Sequence, residues 1–195
     1  MKNYKGFTLI ELLIASTIFM VLAVTVYSAF HTGIFGYRNI EETIDVYQAA
    51  RLILERLDLD LRNSFVYSDA QAKFSGNKNE VSFLTLVDTY REDKLLPEYA
   101  FVSYKLEANK LLRLCRKNQE SLKEKSEVQP DEMATNIKEL SFNFGYLDPV
   151  DSSLKFKDSW GSTPDEQKTL PMAVKVNLTL KGKAGYGFER TIFLP

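Results

Sequence analysis

Several residue types on which enzymes depend are scarce in this chain of 195 residues. It contains one cysteine, Cys115, and one histidine, His31. A single cysteine excludes an intramolecular disulfide, and a single histidine excludes a histidine-rich metal site. The sequence also has no G-x-S-x-G motif and no glycine-rich phosphate-binding loop. We therefore expect a protein that is not an enzyme and that uses no cofactor.

An excess of charge of one sign is also missing. Lysine and arginine total 25 and aspartate and glutamate total 26, so the formal net charge is −1 at pH 7. Nucleic-acid binding requires a surplus of basic side chains on one face of a protein. The composition therefore predicts that nucleic acid is not a partner.

What the sequence does have is one long apolar run near its N-terminus. This run follows Lys2 and Lys5, and its only charged side chain between Phe7 and Phe30 is Glu11. As a helix rising about 1.5 Å per residue, the run would be roughly 36 Å long, enough to cross a hydrocarbon core about 30 Å thick. The two lysines predict a cytoplasmic N-terminus and place the following domain on the far side of the membrane.

The start of the apolar run carries a specific motif. Residues Lys5 to Glu11 read KGFTLIE and are followed by LLIA. This segment resembles the processing and methylation motif of type IV pilins and type II secretion pseudopilins. The resemblance implies that a prepilin peptidase of the inner membrane cuts after Gly6 and N-methylates Phe7, the new N-terminal residue.

Glu11 has two explanations. A carboxylate in a membrane-spanning helix costs roughly 2.5 to 3.5 kcal/mol at the centre and less near the interface, so a shallow position at the headgroups is one of them. The resemblance implies the other, in which Glu11 pairs with the N-terminal amine of a neighbouring subunit in a filament. An ordinary signal peptide cut near Ser28 is an alternative for the whole segment, but its apolar part would exceed the usual length of about 7 to 15 residues.

The helical pattern continues beyond the apolar run. From Tyr37 to Arg62 there is no glycine or proline, and apolar residues recur at helical spacings on one broad face. Charged residues, Asp60 among them, occupy the remaining positions. We predict one long helix to Arg62, with Gly33 and Gly36 as the place where it bends or breaks into two helices. The predicted apolar face consists of Ile40, Ile44, Val46, Tyr47, Ala50, Ile53, Leu54, Leu57 and Leu61.

Alternating apolar residues predict antiparallel strands in the rest of the chain. Residues 117–135 are rich in charge and contain Pro130, which predicts a solvated loop. The expected fold class is α+β: a pilin-like fold in which a long N-terminal helix packs on an antiparallel β-domain. The predicted strands are 81–87, 99–106, 111–116, 140–146, 172–180 and 188–194, with turns at 107–110 and 181–187.

A second, looser resemblance concerns the order of features late in the chain. An aromatic strand, a loop holding a tryptophan and a strand entered through Leu-Pro-Met-Ala-Val look like the J-type minor pseudopilin of type II secretion. Residues of the helix add to this resemblance. The residues that carry it are Arg51, Leu57, Leu61, Tyr146, Trp160, Leu170, Pro171, Ala173 and Val174.

The two resemblances together imply a function and a location. The chain is expected to be a minor pseudopilin, a structural subunit of the short periplasmic pseudopilus of a type II secretion system. Relatives that cap the tip lack an acid at the position of Glu11, which implies a place near but below the tip. The alternative is a minor pilin of a type IV pilus or competence filament that acts as a binding or initiation module at the tip.

The same resemblances imply partners and an organisation of the chain. The expected partners are other minor and major pseudopilins, the prepilin peptidase and the bacterial inner membrane, which the chain crosses once before assembly. The expected segments are a leader at 1–6, a spanning and assembly helix at 7–30, its amphipathic continuation at 31–62, and a periplasmic antiparallel β-domain at 63–195.

Acidic residues are frequent between Asp148 and Glu166. Clustered carboxylates can hold calcium together with backbone carbonyls, and Asp148, Asp151 and Asp158 are weak candidates for this role. No 12-residue loop with ligands at alternate positions is found there, so a solvated acidic loop is favoured.

Overall fold

The computed structural model describes residues 6–67, 73–91, 94–117, 129–182 and 185–195, without the side chains of residues 38–42 and 91. Within these ranges the chain forms one long α-helix, one short 3-10 helix and ten β-strands. It divides into two compact units, Met1–Asp45 and Val46–Pro195.

The first unit contains the N-terminal part of helix α1, which runs from Leu9 to Arg62. Its segment Leu9–Tyr37 is long and apolar enough to cross a membrane, and none of it is buried within the chain. Gly33 and Gly36 both lie inside the continuous helix, so the alternative of two helices separated at these glycines is wrong.

Serine and threonine hydroxyls in the apolar part of α1 donate to backbone carbonyls of the same helix. The Thr25 hydroxyl donates to the carbonyl of Val21 at 2.8 Å, and the Thr32 hydroxyl donates to the carbonyl of Ser28 at 2.9 Å. These bonds remove the need for water or a partner at either hydroxyl, as a lipid environment requires.

The second unit contains the rest of α1 and two antiparallel sheets. The larger sheet has the strand order β1-β3-β4-β5-β6, with β2 also paired to β3. Its turn between Glu107 and Lys110 is confirmed, and Ala108 and Asn109 have φ values of 47° and 65°, as a two-residue type I′ turn requires. Its strands are β1 (Ser64–Phe65), β2 (Ser75–Asn77), β3 (Glu80–Arg91), β4 (Lys94–Glu107), β5 (Lys110–Lys117) and β6 (Asp131–Ala134).

The smaller sheet has the order β10-β9-β7-β8, again antiparallel throughout. The predicted strands at 140–146, 172–180 and 188–194 are confirmed within this sheet, with boundaries that differ by a few residues. The short 3-10 helix, Glu166–Lys168, lies in the connection between β8 and β9. The four strands are β7 (Ile137–Leu147), β8 (Leu154–Lys157), β9 (Ala173–Leu180) and β10 (Tyr186–Phe193).

One core joins α1 to both sheets in the second unit. The helix contributes Ala50, Ile53, Leu54, Leu57 and Leu61, whose spacing of three and four residues keeps them on one face. The largest fully buried sheet residues include Phe83 and Tyr104 from the six-stranded sheet and Phe142 and Phe144 from the four-stranded sheet. The predicted fold class, a long N-terminal helix with an antiparallel β-domain, is therefore confirmed.

Three predictions about local structure are wrong in part. Ile44 and Tyr47 belong to the predicted apolar face but are exposed, and Asp60, assigned to the charged positions, is buried. The predicted loop 117–135 contains strand β6, in which Glu132 pairs with Leu112 of β5. Residues 118–128 of that loop lie outside the described part of the chain.

Candidate functional site at the start of the long helix

The peptide bond between Gly6 and Phe7 lies in an open segment just before α1. Phe7 is 84 % exposed, and a Cβ placed on Gly6 would meet nothing within 4 Å. Neither residue is in a helix or strand. A substitution at Gly6 therefore leaves the fold of this chain unstrained, and the bond is accessible to another protein.

Thr8 and Glu11 form a capping box at the first turn of α1. The Thr8 hydroxyl and backbone N–H both donate to Oε2 of Glu11, at 2.8 and 2.9 Å, and the Glu11 N–H donates to the Thr8 hydroxyl at 3.3 Å. Reciprocal bonds of this kind satisfy backbone donors that have no partner within the helix. Sequence reasoning missed this arrangement, although its signal, a threonine followed three residues later by a glutamate, is visible in the motif.

The capping box adds a local explanation for the acid in the apolar segment. A carboxylate in the first turn also interacts favourably with the positive end of the helix dipole. Both bonds from Thr8 go to Oε2, so the local arrangement is compatible with a cation bound at Oε1. Glu11 is therefore held in place within its own chain, in a geometry from which Oε1 can accept a further hydrogen bond.

A second polar cluster, which we call the Asp60 network, lies at the other end of α1. Asp60 is only 1 % exposed. Its Oδ2 accepts the Tyr104 hydroxyl at 2.5 Å and Nε of Arg113 at 2.9 Å, and Nη2 of Arg113 lies 2.8 Å from the same oxygen. Arg56 approaches Oδ1 at 3.3 Å, and the Thr85 hydroxyl donates to the Asp60 carbonyl at 2.7 Å. The network thus joins α1 to strands β3, β4 and β5.

The surroundings of Tyr104 and Arg113 shift the pKa of each of these two side chains. Burial, followed by the negative charge of Asp60, raises the pKa of Tyr104 well above its usual value. Burial alone would lower the pKa of Arg113, but its interactions with Tyr104 and Asp60 outweigh that effect and raise the pKa. The tyrosine therefore remains a neutral donor and the arginine remains a cation.

Trp160 closes a loop and joins the two sheets. Its indole Nε1 donates to the carbonyls of Glu166 and Thr169, both at 3.1 Å, and Nζ of Lys157 lies 4.4 Å from the centre of its ring. Its backbone exchanges two hydrogen bonds with Gly76 of β2, at 2.9 and 3.0 Å. The role of this tryptophan within the fold is therefore to fix the connection between the sheets.

The three calcium candidates are paired with protein groups, and Asp148 and Asp151 share one of them, Lys155. Asp148 pairs with Lys155, and that hydrogen bond is the main cause of its lowered pKa. Asp151 accepts the backbone N–H of Ser153, and Asp158 accepts the side chain of Asn143. Among the residues that the structure describes, no group of three or more histidine, cysteine, aspartate or glutamate side chains could hold a metal ion.

Two family comparisons place the chain. Residues 1–27 match the prokaryotic N-terminal methylation motif, so the chain shares the N-terminal motif of this class of proteins. Residues 39–189 match protein J of the type II secretion system (T2SS). Since that match covers well over half of its length, the chain belongs to the type II secretion system protein J family. It is a minor pseudopilin, and the alternative of a type IV pilus or competence filament is not supported.

A solved structure shares the fold. A chain in the crystal structure of the GspK-GspI-GspJ complex from the type 2 secretion system of enterotoxigenic Escherichia coli matches with a TM-score of 0.50 and 18 % sequence identity. The match covers 75 % of this chain and 96 % of the other. Comparison with curated proteins gives no match.

Proposed function

We propose that the chain is made as a precursor in the bacterial inner membrane and is cut between Gly6 and Phe7 before it enters a periplasmic pseudopilus. The observation that carries this proposal is the presence, in one chain, of the methylation motif at 1–27 and the protein J domain at 39–189. The exposed Gly6–Phe7 bond would be cut by the prepilin peptidase, which would also methylate Phe7.

The topology is part of the proposal. Leu9–Tyr37 crosses the inner membrane once, with the basic leader in the cytoplasm and Val46–Pro195 in the periplasm. After assembly the same helix serves as a packing element between subunits. The chain acts as a structural subunit without catalysis or bound cofactor, and it has no nucleic-acid partner.

Glu11 supplies the assembly contact in this proposal. Cleavage creates a positive amine on Phe7 of each subunit, and Glu11 of a neighbouring subunit neutralises it inside an apolar bundle. Because Glu11 needs such an amine above it, the chain takes a place near but below the tip. Its partners are other minor pseudopilins, of the kinds named in the GspK-GspI-GspJ complex, and the major pseudopilin.

Mass spectrometry of the protein purified from membranes tests the processing step. The mature chain is expected to begin at Phe7 and to carry one additional methyl group. Gly6→Ala is expected to leave the full precursor, and the open space at Gly6 means that this loss would report recognition by the peptidase and not a change of fold. Gly36→Ala, which also meets open space, is the control and should be processed normally. A mature N-terminus at any other residue would contradict the proposal.

A further inference from the structure

Strand β10 forms a long free edge of the smaller sheet. It pairs with β9 over all its eight residues, Tyr186–Phe193, and no other strand of the described chain pairs with its second edge. The other strands at the ends of the two sheets are short: within the described ranges β1 has two residues, β2 has three, and β6 and β8 have four each. A long edge strand is a template for pairing with another chain, so proteins usually shorten, bend or block such strands.

The sequence and geometry of β10 leave this edge open. The strand contains no proline, and its pairing with β9 has no register shift, whereas the pairings of β5 with β6 and of β7 with β9 each contain one. A Cβ placed on Gly187 would meet nothing within 4 Å. The edge is therefore straight along its length and has room beside it.

A hydrogen bond at the end of β10 shows which of its backbone groups point outward. The N–H of Leu194 donates to the carbonyl of Met172 at 3.1 Å, which continues the register of β10 with β9. In an antiparallel strand, successive residues direct their N–H and C=O groups alternately to the two sides. The even-numbered residues of β10 therefore bond to β9. The outward-pointing groups belong to Gly187, Glu189, Thr191 and Phe193.

The side chains of these four residues define what an added strand would meet. Ile192 is fully buried in the core, so by alternation the odd-numbered residues lie on the opposite face. The side chain of Glu189 is 60 % exposed although Nζ of Lys175 lies 3.3 Å from its carboxylate, and Phe193 is exposed as well. Opposite charges and apolar pairs stabilise neighbouring strands. The edge thus fits an extended segment with a basic residue opposite Glu189 and an apolar residue opposite Phe193.

Charge disfavours a second copy of this chain as the occupant. The antiparallel pairings of β10 with itself that use most of the strand and keep the outer faces together are centred on Glu189 or on Arg190. Each of them places a charged residue directly opposite the same residue of the second copy, which is destabilising. A different chain can place lysine or arginine opposite Glu189.

The free edge lies beside the helix that is proposed to pack between subunits. The rings of Tyr47 and Phe188 are 5.3 Å apart, and Nη2 of Arg190 lies 3.4 Å from Oδ2 of Asp58. Leu52 and Leu59, on the same part of α1, are exposed. A neighbouring subunit that packs along this part of α1 is therefore next to the open edge of β10.

We propose that β10 is a strand-addition site at which an extended segment of another pseudopilin continues the smaller sheet. The backbone groups of Glu189 and Thr191 supply the central hydrogen bonds, and Glu189 selects a basic residue on the partner strand. The identity of the partner rests on the proposed function.

Amide hydrogen exchange with single-residue resolution tests the site in the wild-type protein. In the isolated full-length chain in detergent, the N–H groups of Glu189 and Thr191 should exchange fast, whereas those of Arg190 and Ile192 should be protected by β9. In the complex co-purified with the other minor pseudopilins of the same system, exchange at Glu189 and Thr191 should slow about tenfold or more. The buried strand β7 is the internal reference and should not change.

A matched pair of variants tests the use of the backbone. Thr191→Pro removes an N–H that β9 does not use, so urea unfolding of the isolated chain should remain cooperative, while co-purification with the other minor pseudopilins should fall about tenfold or more. Thr191→Val keeps the N–H and should co-purify as wild type does. If Thr191→Pro does not fold, the exchange measurement on the wild type decides alone.

The other outcomes overturn the proposal. Fast exchange at Glu189 and Thr191 in the complex, or normal co-purification of a folded Thr191→Pro, would show that assembly does not use the edge. Protection that rises with the concentration of the isolated chain would identify a second copy as the occupant, and protection only on addition of a protein exported by the same system would identify a secreted protein. A wild-type chain that is neither processed at Gly6 nor co-purified would contradict the proposed function as well.

Discussion

The two parts of helix α1 use apolar residues in opposite ways. Between Leu9 and Tyr37 they cover the whole circumference of the helix and are exposed, whereas between Ala50 and Leu61 they form one stripe that is buried against the sheets. An apolar helix face without a partner in its own chain must be covered by lipid or by another subunit. The first part is therefore available for membrane insertion and assembly, and the second part attaches the β-domain.

The polar groups of α1 differ in the same way. In the first part the hydrogen bonds of the hydroxyl and carboxyl side chains go to residues three or four positions away, as in the capping box of Thr8 and Glu11. In the second part Asp60 is satisfied by Tyr104 and Arg113, which lie 44 and 53 residues further along the chain. The bonds of the first part are local, whereas long-range bonds tie the second part to the sheets. We expect substitutions in the first part to affect assembly and those in the second part to affect folding.

The largest expected effect is loss of assembly on substitution of Glu11. Glu11→Ala should abolish or strongly weaken co-assembly with other pseudopilins, because the amine of the neighbouring subunit then loses its counter-ion. Urea unfolding of the second unit should be unchanged, since Glu11 contacts only Thr8 among the described residues. Cross-linking of filament subunits in membranes, compared with Thr8→Val, separates the intersubunit contact from the capping box. Filament initiation at the normal level in Glu11→Ala would refute the assembly role.

A leucine substitution in each part tests the comparison through stability. Leu57→Ala should lower the free energy of unfolding by about 2 to 5 kcal/mol, because it opens a cavity in the core. Leu22→Ala should leave it unchanged, since Leu22 is exposed and outside the core. Urea unfolding of the full chain in detergent, followed by the fluorescence of its one tryptophan, Trp160, measures both. An equal loss of unfolding free energy in Leu57→Ala and Leu22→Ala would show that the two parts of α1 do not differ in their contribution to the core.

Much of the difference between the two parts of α1 could be predicted from the pattern of residues. The all-round apolar run and the later stripe have different periodicities, and these predicted the helix to Arg62 and most of its buried residues. The short interval between the apolar runs 99–106 and 111–116 predicted the turn at Glu107–Lys110, where Asn109 has the positive φ that asparagine tolerates. These features depend on neighbours within a few residues, which is the range that a sequence pattern reports.

The features that sequence analysis missed depend on residues that are distant in the sequence, or lie beside residues that are typical of a different structure. Asp60 is four residues from Arg56 and resembles any exposed helical ion pair, so nothing local indicates its burial beneath Tyr104 and Arg113. Strand β6 is short and charged and directly follows Pro130, so its own composition does not predict a strand. It forms a strand because it pairs with β5. The contact of Trp160 with Gly76 likewise joins segments 84 residues apart.

Glycines provide a further test with smaller effects. A Cβ on Gly76 would lie 2.3 Å from Cζ of the buried Phe144, whereas a Cβ on Gly33 would meet nothing within 4 Å. Gly76→Ala should therefore destabilise the second unit by about 1 to 3 kcal/mol through overpacking. Gly33→Ala should leave the unfolding of the second unit unchanged, because it favours a helix that already lies outside the core. Wild-type stability of Gly76→Ala in the same urea experiment would show that Phe144 moves aside without cost.

The smallest expected effect concerns the pH dependence of stability that arises from the loop between β8 and β9, which contains Trp160 and Glu166. The hydrogen bond from Lys157, with further contributions from the lysine charge and from backbone N–H groups, lowers the pKa of Glu166. A carboxyl group whose pKa is lower in the folded state contributes stability that is present above its unfolded pKa of about 4.3 and is lost as the pH falls through the folded value.

Glu166→Gln should therefore reduce the loss of stability between about pH 5 and pH 3, while lowering stability at pH 7 by less than about 1 kcal/mol because the ion pair is partly exposed. Glu139→Gln, at an exposed position on β7, is the matched control and should retain the wild-type slope. The measurement is the urea midpoint by Trp160 fluorescence at each pH, which reports this loop directly because the indole donates to the Glu166 carbonyl. Identical slopes for wild type and Glu166→Gln would mean that the loop does not control the acid stability of the second unit, and that its pH response arises from carboxylates elsewhere in the two sheets.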